Sequence, residues 1–273
     1  MAQTIVIFEI SGPFAHFRKF YTNSSSLTYG FPPRTVLMGM VAAILGWERD
    51  SYYERLGVEK AQFAVVPLGN PRRLVATVNY IRTKEEDVKK LMELKPFTGT
   101  QVPLEVLRPG YGEKRVVYRI YFSHHDPGIN NQLAERIAEG RFYYPLYMGL
   151  SEFIAECSFV GISEPTVVHQ PGQEVVLHSV VNTALIEEPV LEGSVKLIRE
   201  KAPVAFGTGR ARMPNASFIY AAQSKPTVVD SASGGIKGKE SGYPQSRGAV
   251  KMRLRVPAYS FALNGDTVVF MEG

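Results

Sequence analysis

Apolar residues run almost unbroken from Ile5 to Ile10, β-branched and aromatic in character, and predict a buried strand over 3–10. The pattern then breaks. Residues 11–33 contain Gly12, Pro13, three consecutive serines, Gly30 and Pro32-Pro33, and predict a long loop, a length usually tied to function in compact domains. Residues 34–46 predict a helix bounded by the prolines and Gly46, with Gly39, Ala42 and Ala43 small enough for close packing. Gln62–Leu68 and Arg73–Tyr80 read as strands, Lys84–Lys95 as a short charged helix, and Arg115–Ser123 as an alternating strand. Asn130–Gly140 is amphipathic, with Leu133, Ala134 and Ile137 inward and Glu135, Arg136 and Glu139 outward. A further strand region spans Phe153–Val168.

The order β, α, β, β, α, β predicts an α+β, ferredoxin-like domain over 1–170, the sheet plan of RNA-recognition modules. Beyond it, residues 171–273 predict a mostly β subdomain with strands at Val175–Val181, Val190–Ile198, Phe218–Ala221, Val250–Val256 and Thr267–Met271. Ser231–Gly248 is rich in Gly, Ser and Lys and reads as a loop, either solvated or ordering on RNA through Lys237, Lys239 and Arg247.

Composition narrows the classes. The chain has 273 residues, 45% of them hydrophobic, enough for a real core. A lone Cys157 excludes a disulfide framework and a cysteine-rich zinc site, and fits a reducing cytoplasm. The apolar run from Thr35 to Trp47 is too short to span a bilayer, and no leader pattern precedes the first strand, so a cytoplasmic protein without a membrane partner is expected. Net charge is −1 over residues 1–190 and +6 over 191–273, an asymmetry that points to a polyanion partner or to a solubilising surface.

The loop carries the candidate chemistry. No acid occurs between Glu9 and Glu48, while His16, Arg18, Lys19, Tyr21, Thr22, Asn23, Ser24, Ser25, Tyr29 and Arg34 supply cations, hydroxyls and aromatic faces. Phosphates take the first two and unstacked bases the third, so the pattern suits single-stranded RNA. Phe206-Gly-Thr-Gly-Arg210-Ala-Arg212 reads as a phosphate-cradling turn or as a plain turn between strands; it lacks the Lys-Ser/Thr ending of a nucleotide-hydrolysing loop. Metal-free RNA cleavage would draw its acid and base from His16, Tyr21, His124 and His125. His124-His125-Asp126-Pro127-Gly128 also reads as a turn entering a helix, and His124, His125 and Asp126 are adjacent, so their side chains diverge and offer no metal site.

Three blocks resemble one CRISPR-associated family: Ala15–Ser25 with Leu27-Thr-Tyr29 and Phe31–Thr35; Thr100–Arg108 followed by Tyr118–Tyr121; and Tyr144–Phe153. The family is the RAMP ("Cas-five") family whose members cap the 5′ handle of the guide RNA in type I Cascade, and the first block is similar to its type I-B branch. The resemblance implies a non-catalytic RNA-binding subunit without a cofactor. Implied partners are the guide RNA handle, a backbone RAMP subunit, the large PAM-reading subunit, and target DNA through the complex. It implies a thumb over about 82–103 and RNA contacts at Gln101, Arg119, Met148, Gly149 and Ser151. Where the family carries an arginine before Thr-Gln this chain has Gly99, so Arg82 or Arg108 is the implied substitute. The alternatives are a metal-independent guide-processing endoribonuclease, known from another branch of the family, and a standalone single-stranded RNA-binding module.

Overall fold

A computed structural model of the chain describes residues 4–22, 25–81, 84–96, 99–190, 196–211, 213–222 and 248–272. The expected loop over 231–248 lies almost wholly outside the described residues, as do Asn23, Ser24, Arg82 and Arg212.

The chain opens with β1 (Ile5–Gly12), followed by a long loop holding β2 (Phe17–Arg18) and β3 (Thr28–Tyr29), then α1 (Arg34–Leu45) and β4 (Ala61–Leu68). β5 (Arg72–Tyr80), α2 (Glu85–Met92) and β6 (Thr100–Arg108) come next, then β7 (Val116–His124), α3 (Pro127–Ala138) and β8 (Glu156–Ser163). The protein is α+β and strand-rich, with three α-helices among the described residues, as the sequence predicted. β1, β4, β7 and β8 form one antiparallel sheet in the order β4-β7-β1-β8.

Both faces of this sheet are covered, which explains the almost unbroken apolar character of β1 and the complete burial of β7. Val6, Phe8 and Ile10 pack with Tyr118, Ile120 and Phe122 against Leu37 and Val41 of α1 and Leu133 and Ile137 of α3. Ile5, Ile7 and Tyr121 face the other way, onto Phe261, Val268 and Phe270. That second covering comes from the carboxy-terminal residues. They contribute β9 (Val167–His169), β10 (Glu174–Leu177), β11 (Val181–Asn182), β12 (Ile186–Val190), β13 (Lys196–Pro203), β14 (Asn215–Ala222), β15 (Val250–Leu254), β16 (Ala258–Ser260) and β17 (Thr267–Val268). These assemble into three small sheets, β10-β15-β12, β11-β14-β13 and β17-β16-β9.

The boundary expected at 170 does not separate two cores. Val180, Ala202, Phe218, Tyr220 and Met271 belong to the same buried cluster as α1 and β1. The amides of Val180 and Met271 donate to Val65 O and Phe63 O of β4, at 2.8 and 2.9 Å. One expectation fails here. The second sheet face cannot serve as an RNA platform, and Arg119 cannot reach RNA from it. Its guanidinium is buried and paired with Glu9 and Asp266, each at 2.7 Å, and Tyr121 adds a hydroxyl to Asp266 at 2.6 Å.

Arg34 is a second correction. Expected at the RNA, it has no exposed surface. It stands in the first turn of α1 and pairs with Glu272, while Nη2 donates to Leu56 O at 2.9 Å and Ala61 O at 2.7 Å, and Nη1 donates to Val204 O at 3.2 Å. Glu272 in turn accepts the Phe63 amide at 3.1 Å. One guanidinium thus ties the start of α1, the start of β4 and the end of the chain. Glu272→Gln should cost about 3–5 kcal/mol, because it leaves a buried cation without its counter-charge. Arg34→Met combined with Glu272→Met should cost less than the two single changes added together. Urea unfolding measures both, and a single-variant cost below about 1 kcal/mol would refute the role assigned to this pair.

Candidate nucleic-acid interface

The loop that the sequence singled out is a docked structure. Its first part pairs with β6 through Ala15 and Leu107, whose amides and carbonyls exchange bonds at 3.0 and 2.8 Å. Its later part is held through Ser26, whose amide donates to Pro103 O at 2.9 Å and whose carbonyl accepts from Glu105 N at 2.8 Å. His16 sits between these strands. Its Nδ1 donates to Glu105 O at 2.7 Å, which leaves Nε2 to accept from Ser26 Oγ at 3.0 Å. Burial holds the imidazole below its ordinary value, with Arg18 adding repulsion, against the raising effect of the Glu105 carbonyl. His16 therefore lies buried between the strands, with both ring nitrogens bonded within the protein.

Glu200 organises the rest. It lies in β13 at an inward position with its carboxylate nearly buried. One oxygen takes Lys19 Nζ at 2.9 Å and Arg73 Nη2 at 2.8 Å. The other accepts the Gly30 amide at 2.8 Å and the Tyr220 hydroxyl at 3.2 Å. Burial alone would raise this carboxyl, but the Gly30 amide, the Lys19 ammonium and the Arg73 guanidinium together hold it below its usual range. Arg73 also bonds Glu105 Oε2 and the Thr28 carbonyl, both at 3.0 Å, and Glu105 Oε2 accepts the Thr28 amide at 2.9 Å. The loop, the root of the β5–β6 hairpin and β13 are thus clamped by two acids and two cations.

The predicted residues divide on this geometry. Arg18 and Tyr21 are exposed, with Phe20 packed edge-on against Tyr21 at 5.1 Å. Lys19 is engaged by Glu200, and Thr22 turns its hydroxyl onto Lys19 O at 2.9 Å. Ser25 is half-buried. Tyr29 is buried and donates to Lys201 O at 2.9 Å, so it is no stacking platform. Met148 is fully buried, and the Gly149 backbone lies against the loop: at φ +95°, an added Cβ would stand 1.9 Å from His16 O. These two residues seat the loop. Ser151 is exposed and bonded to Glu152 at 3.0 Å. Gln101 is exposed on β6 opposite Asn79, and Arg108 is half-buried at the end of that strand. Arg210 is exposed in left-handed backbone (φ 64°) with its guanidinium 5.8 Å from the Phe206 ring.

The alternative catalytic pair is similarly engaged. His124 is buried, with Nε2 donating to Arg55 O at 2.9 Å and Nδ1 accepting the Asp126 amide at 3.0 Å. His125 is exposed and stacks on it at 4.6 Å. Asp126 caps α3 by accepting from Gly128 N at 2.8 Å, so this string is the turn into a helix. Among the described residues no three His, Cys, Asp or Glu side chains converge as metal ligands, and no helix is long and apolar enough to cross a membrane.

Sequence reasoning missed Arg73, Glu105, Glu200 and the exposed Arg199 and Lys201 of β13. The signal was the alternation of Lys196–Pro203, which sets an acid at position 200 in the same inward phase as Ile198 and Ala202. The β5–β6 hairpin also extends beyond the expected thumb. Its strands pair from Arg72↔Arg108 to Tyr80↔Thr100, and α2 at the tip buries no residue.

The family described as CRISPR-associated protein (Cas_Cas5) matches residues 5–102, a stretch that includes the docked loop. A solved CRISPR protein from Archaeoglobus fulgidus is similar over 98% of this chain and 99% of its own, at 10% identity and a TM-score of 0.54, a likeness of fold. A chain of a CRISPR RNA-guided surveillance complex is 16% identical over 80% of this chain and 89% of its own, with a TM-score of 0.46. No curated protein matches the sequence. From β1 to the start of β6, then, the chain is similar to the Cas5 family of CRISPR-associated proteins, and the match spans the docked loop, α1, β4, β5 and α2.

Two outcomes test the clamp. Gly149→Ala should destabilise the protein by roughly 1–3 kcal/mol and expose the loop to limited proteolysis, because the added methyl collides with a backbone carbonyl and the φ disfavours it. Acid should loosen the same region in two steps. A histidine whose folded value is depressed stabilises the protein above its unfolded value near 6.5 and ceases to do so as pH falls through the folded value. Glu200 acts in the same sense below about 4.5. The urea midpoint should therefore fall from pH 7 to pH 5, and His16→Gln should remove most of that decline. An equal decline in the variant would refute the assignment.

Proposed function

We propose that the protein is a non-catalytic RNA-binding subunit of a type I CRISPR surveillance complex, of the Cascade kind, and that it holds the 5′ handle of the guide RNA. The observation that carries this reading is the Cas5-family match over residues 5–102, because it falls on the loop that the structure docks most elaborately. The strand order β4-β7-β1-β8 with α1 and α3 on one face supports a ferredoxin-like reading of the amino-terminal part. The first sequence block favours the type I-B branch. In this reading the RNA runs over the outer surface of the loop and β13, where Arg18, Arg199, Lys201, Phe20 and Tyr21 offer cations and aromatic faces to solvent. The protein acts in the cytoplasm beside a backbone RAMP subunit and the large PAM-reading subunit, and meets target DNA only through the complex.

A binding role suits the histidines better than catalysis. Both ring nitrogens of His16 and of His124 are committed to structural bonds, which leaves neither free to take a proton from a ribose hydroxyl. Incubation with guide-precursor RNA in EDTA is the direct test: the RNA should remain intact in a stable complex, and a cut product would favour the endoribonuclease. Arg18→Ala with Lys201→Ala should weaken RNA binding and flatten its salt dependence, lowering the slope by about 0.7 for each phosphate no longer neutralised.

The hairpin arm is the proposed contact with the backbone subunit. Met92 and Leu94 at its tip are 81% and 93% exposed, and α2 buries nothing of its own. Replacing Glu85–Lys95 by a Gly-Ser bridge should leave the urea midpoint of the isolated protein unchanged and reduce incorporation of the neighbouring subunit on co-expression. Full incorporation by the shortened protein would refute this contact.

A further inference from the structure

The root of the β5–β6 hairpin carries two arginines in an arrangement that folding alone disfavours. Arg72 and Arg108 are direct cross-strand partners, so their side chains leave the same face of the ribbon. Like charges so placed repel. Among the described residues neither has an ion pair, and Arg108 Nε is buried without an acceptor. The nearby acid in sequence is not available to them. Glu113 accepts the Asn70 amide at 2.8 Å with one oxygen and the Gly110 amide at 2.9 Å with the other, locking the turn before β5 to the turn after β6. The locked turn presents Tyr111, which is 77% exposed and lies under the Arg72 guanidinium at 4.1 Å. Gly69 and Gly110 let the two turns close, since a Cβ at either would come within 2.9 Å of Glu113.

An anion between the arginines and a planar group on the free face of Tyr111 would answer each of these features. We propose that the Arg72–Arg108 pair and Tyr111 form a mononucleotide subsite for single-stranded RNA, with one phosphate between the two guanidinium groups and the adjoining base stacked on the tyrosine. Arginine suits this place because it can grip a phosphate and lie flat on an aromatic ring at once. Tyr111 supplies stacking that any base can use, so the subsite positions a nucleotide without selecting its identity. Glu113 is the positioning residue, acting through the turn it closes. This inference rests on the RNA-binding reading above, and places one nucleotide at the hairpin root, on the ribbon face opposite Arg73 of the Glu200 clamp.

The test uses the full-length protein and a 5′-labelled single-stranded RNA oligonucleotide of mixed sequence, with anisotropy titrations at several salt concentrations. Tyr111→Ala should weaken binding about tenfold, and Tyr111→Phe should stay within about twofold of the parent. Arg72→Ala with Arg108→Ala should weaken binding and lower the salt slope by about 0.7, the share of one phosphate on a single strand. The melting temperature of that double variant should hold or rise, because a repulsive pair has been removed. Parent-like affinity and slope in these variants, with the parent binding RNA, would overturn the subsite and leave the RNA-binding reading standing. A lowered melting temperature alongside the weakened affinity would overturn it too, by making the arginines structural. A parent protein that binds no single-stranded RNA would overturn both.

Discussion

A single carboxylate, that of Glu200, ties the long loop, the hairpin root and the strands β13 and β14 together. Four donors from three parts of the chain converge on it: Lys19 and Gly30 of the loop, Arg73 of the hairpin root and Tyr220 of β14. A buried carboxylate is costly unless its oxygens are satisfied, so the site is stable only when all three parts are in place around β13. That makes the loop's conformation conditional on the carboxy-terminal sheet. It also explains Gly30, where a Cβ would stand 2.0 Å from the Tyr220 hydroxyl.

The same clamp limits what the loop can bind. Cations that looked free in the sequence neutralise acids in the fold, so the positive potential left for a polyanion is smaller and lies further out, on Arg18, Arg199 and Lys201. Elsewhere in the carboxy-terminal third, Arg253 stands between Glu174 and Glu188 at 2.8 and 3.0 Å. The surplus charge of that region is thus partly internal to β10, β12 and β15. Among the described residues, Arg72 and Arg108 at the hairpin root differ in having no such partner.

Covering both faces of the central sheet has a further consequence. A four-stranded sheet of this order can present one face to RNA, but here Phe261, Val268 and Phe270 fill that face and Asp266 neutralises Arg119 upon it. In the proposed RNA-binding reading, recognition falls to the loop, the hairpin and the edge strand β13. Those parts project from a rigid scaffold, where a loop can be shaped without disturbing the core.

The sequence by itself determined the local elements wherever periodicity or punctuation was strong. The strand at β1, the helix between Pro33 and Gly46, β4, β5, β7 and α3 all follow from apolar patterning and breakers, which depend only on neighbouring residues. The family resemblance was legible for the same reason, in contiguous strings such as Ala15–Ser25. The pairing of charges was not. Nothing local to Arg34 shows that Glu272 will meet it, nor does anything local to Lys19 show that Glu200 will. Those partners are separated by most of the chain and are brought together only by packing. The nine-residue strand β6 is not apparent from the sequence because Pro103 and Glu105 interrupt its pattern, and its identity as a strand comes from pairing with β5 and with the loop. Tertiary structure alone decided which cations are structural and which face outward, because burial and counter-charge are properties of the fold and not of the residue.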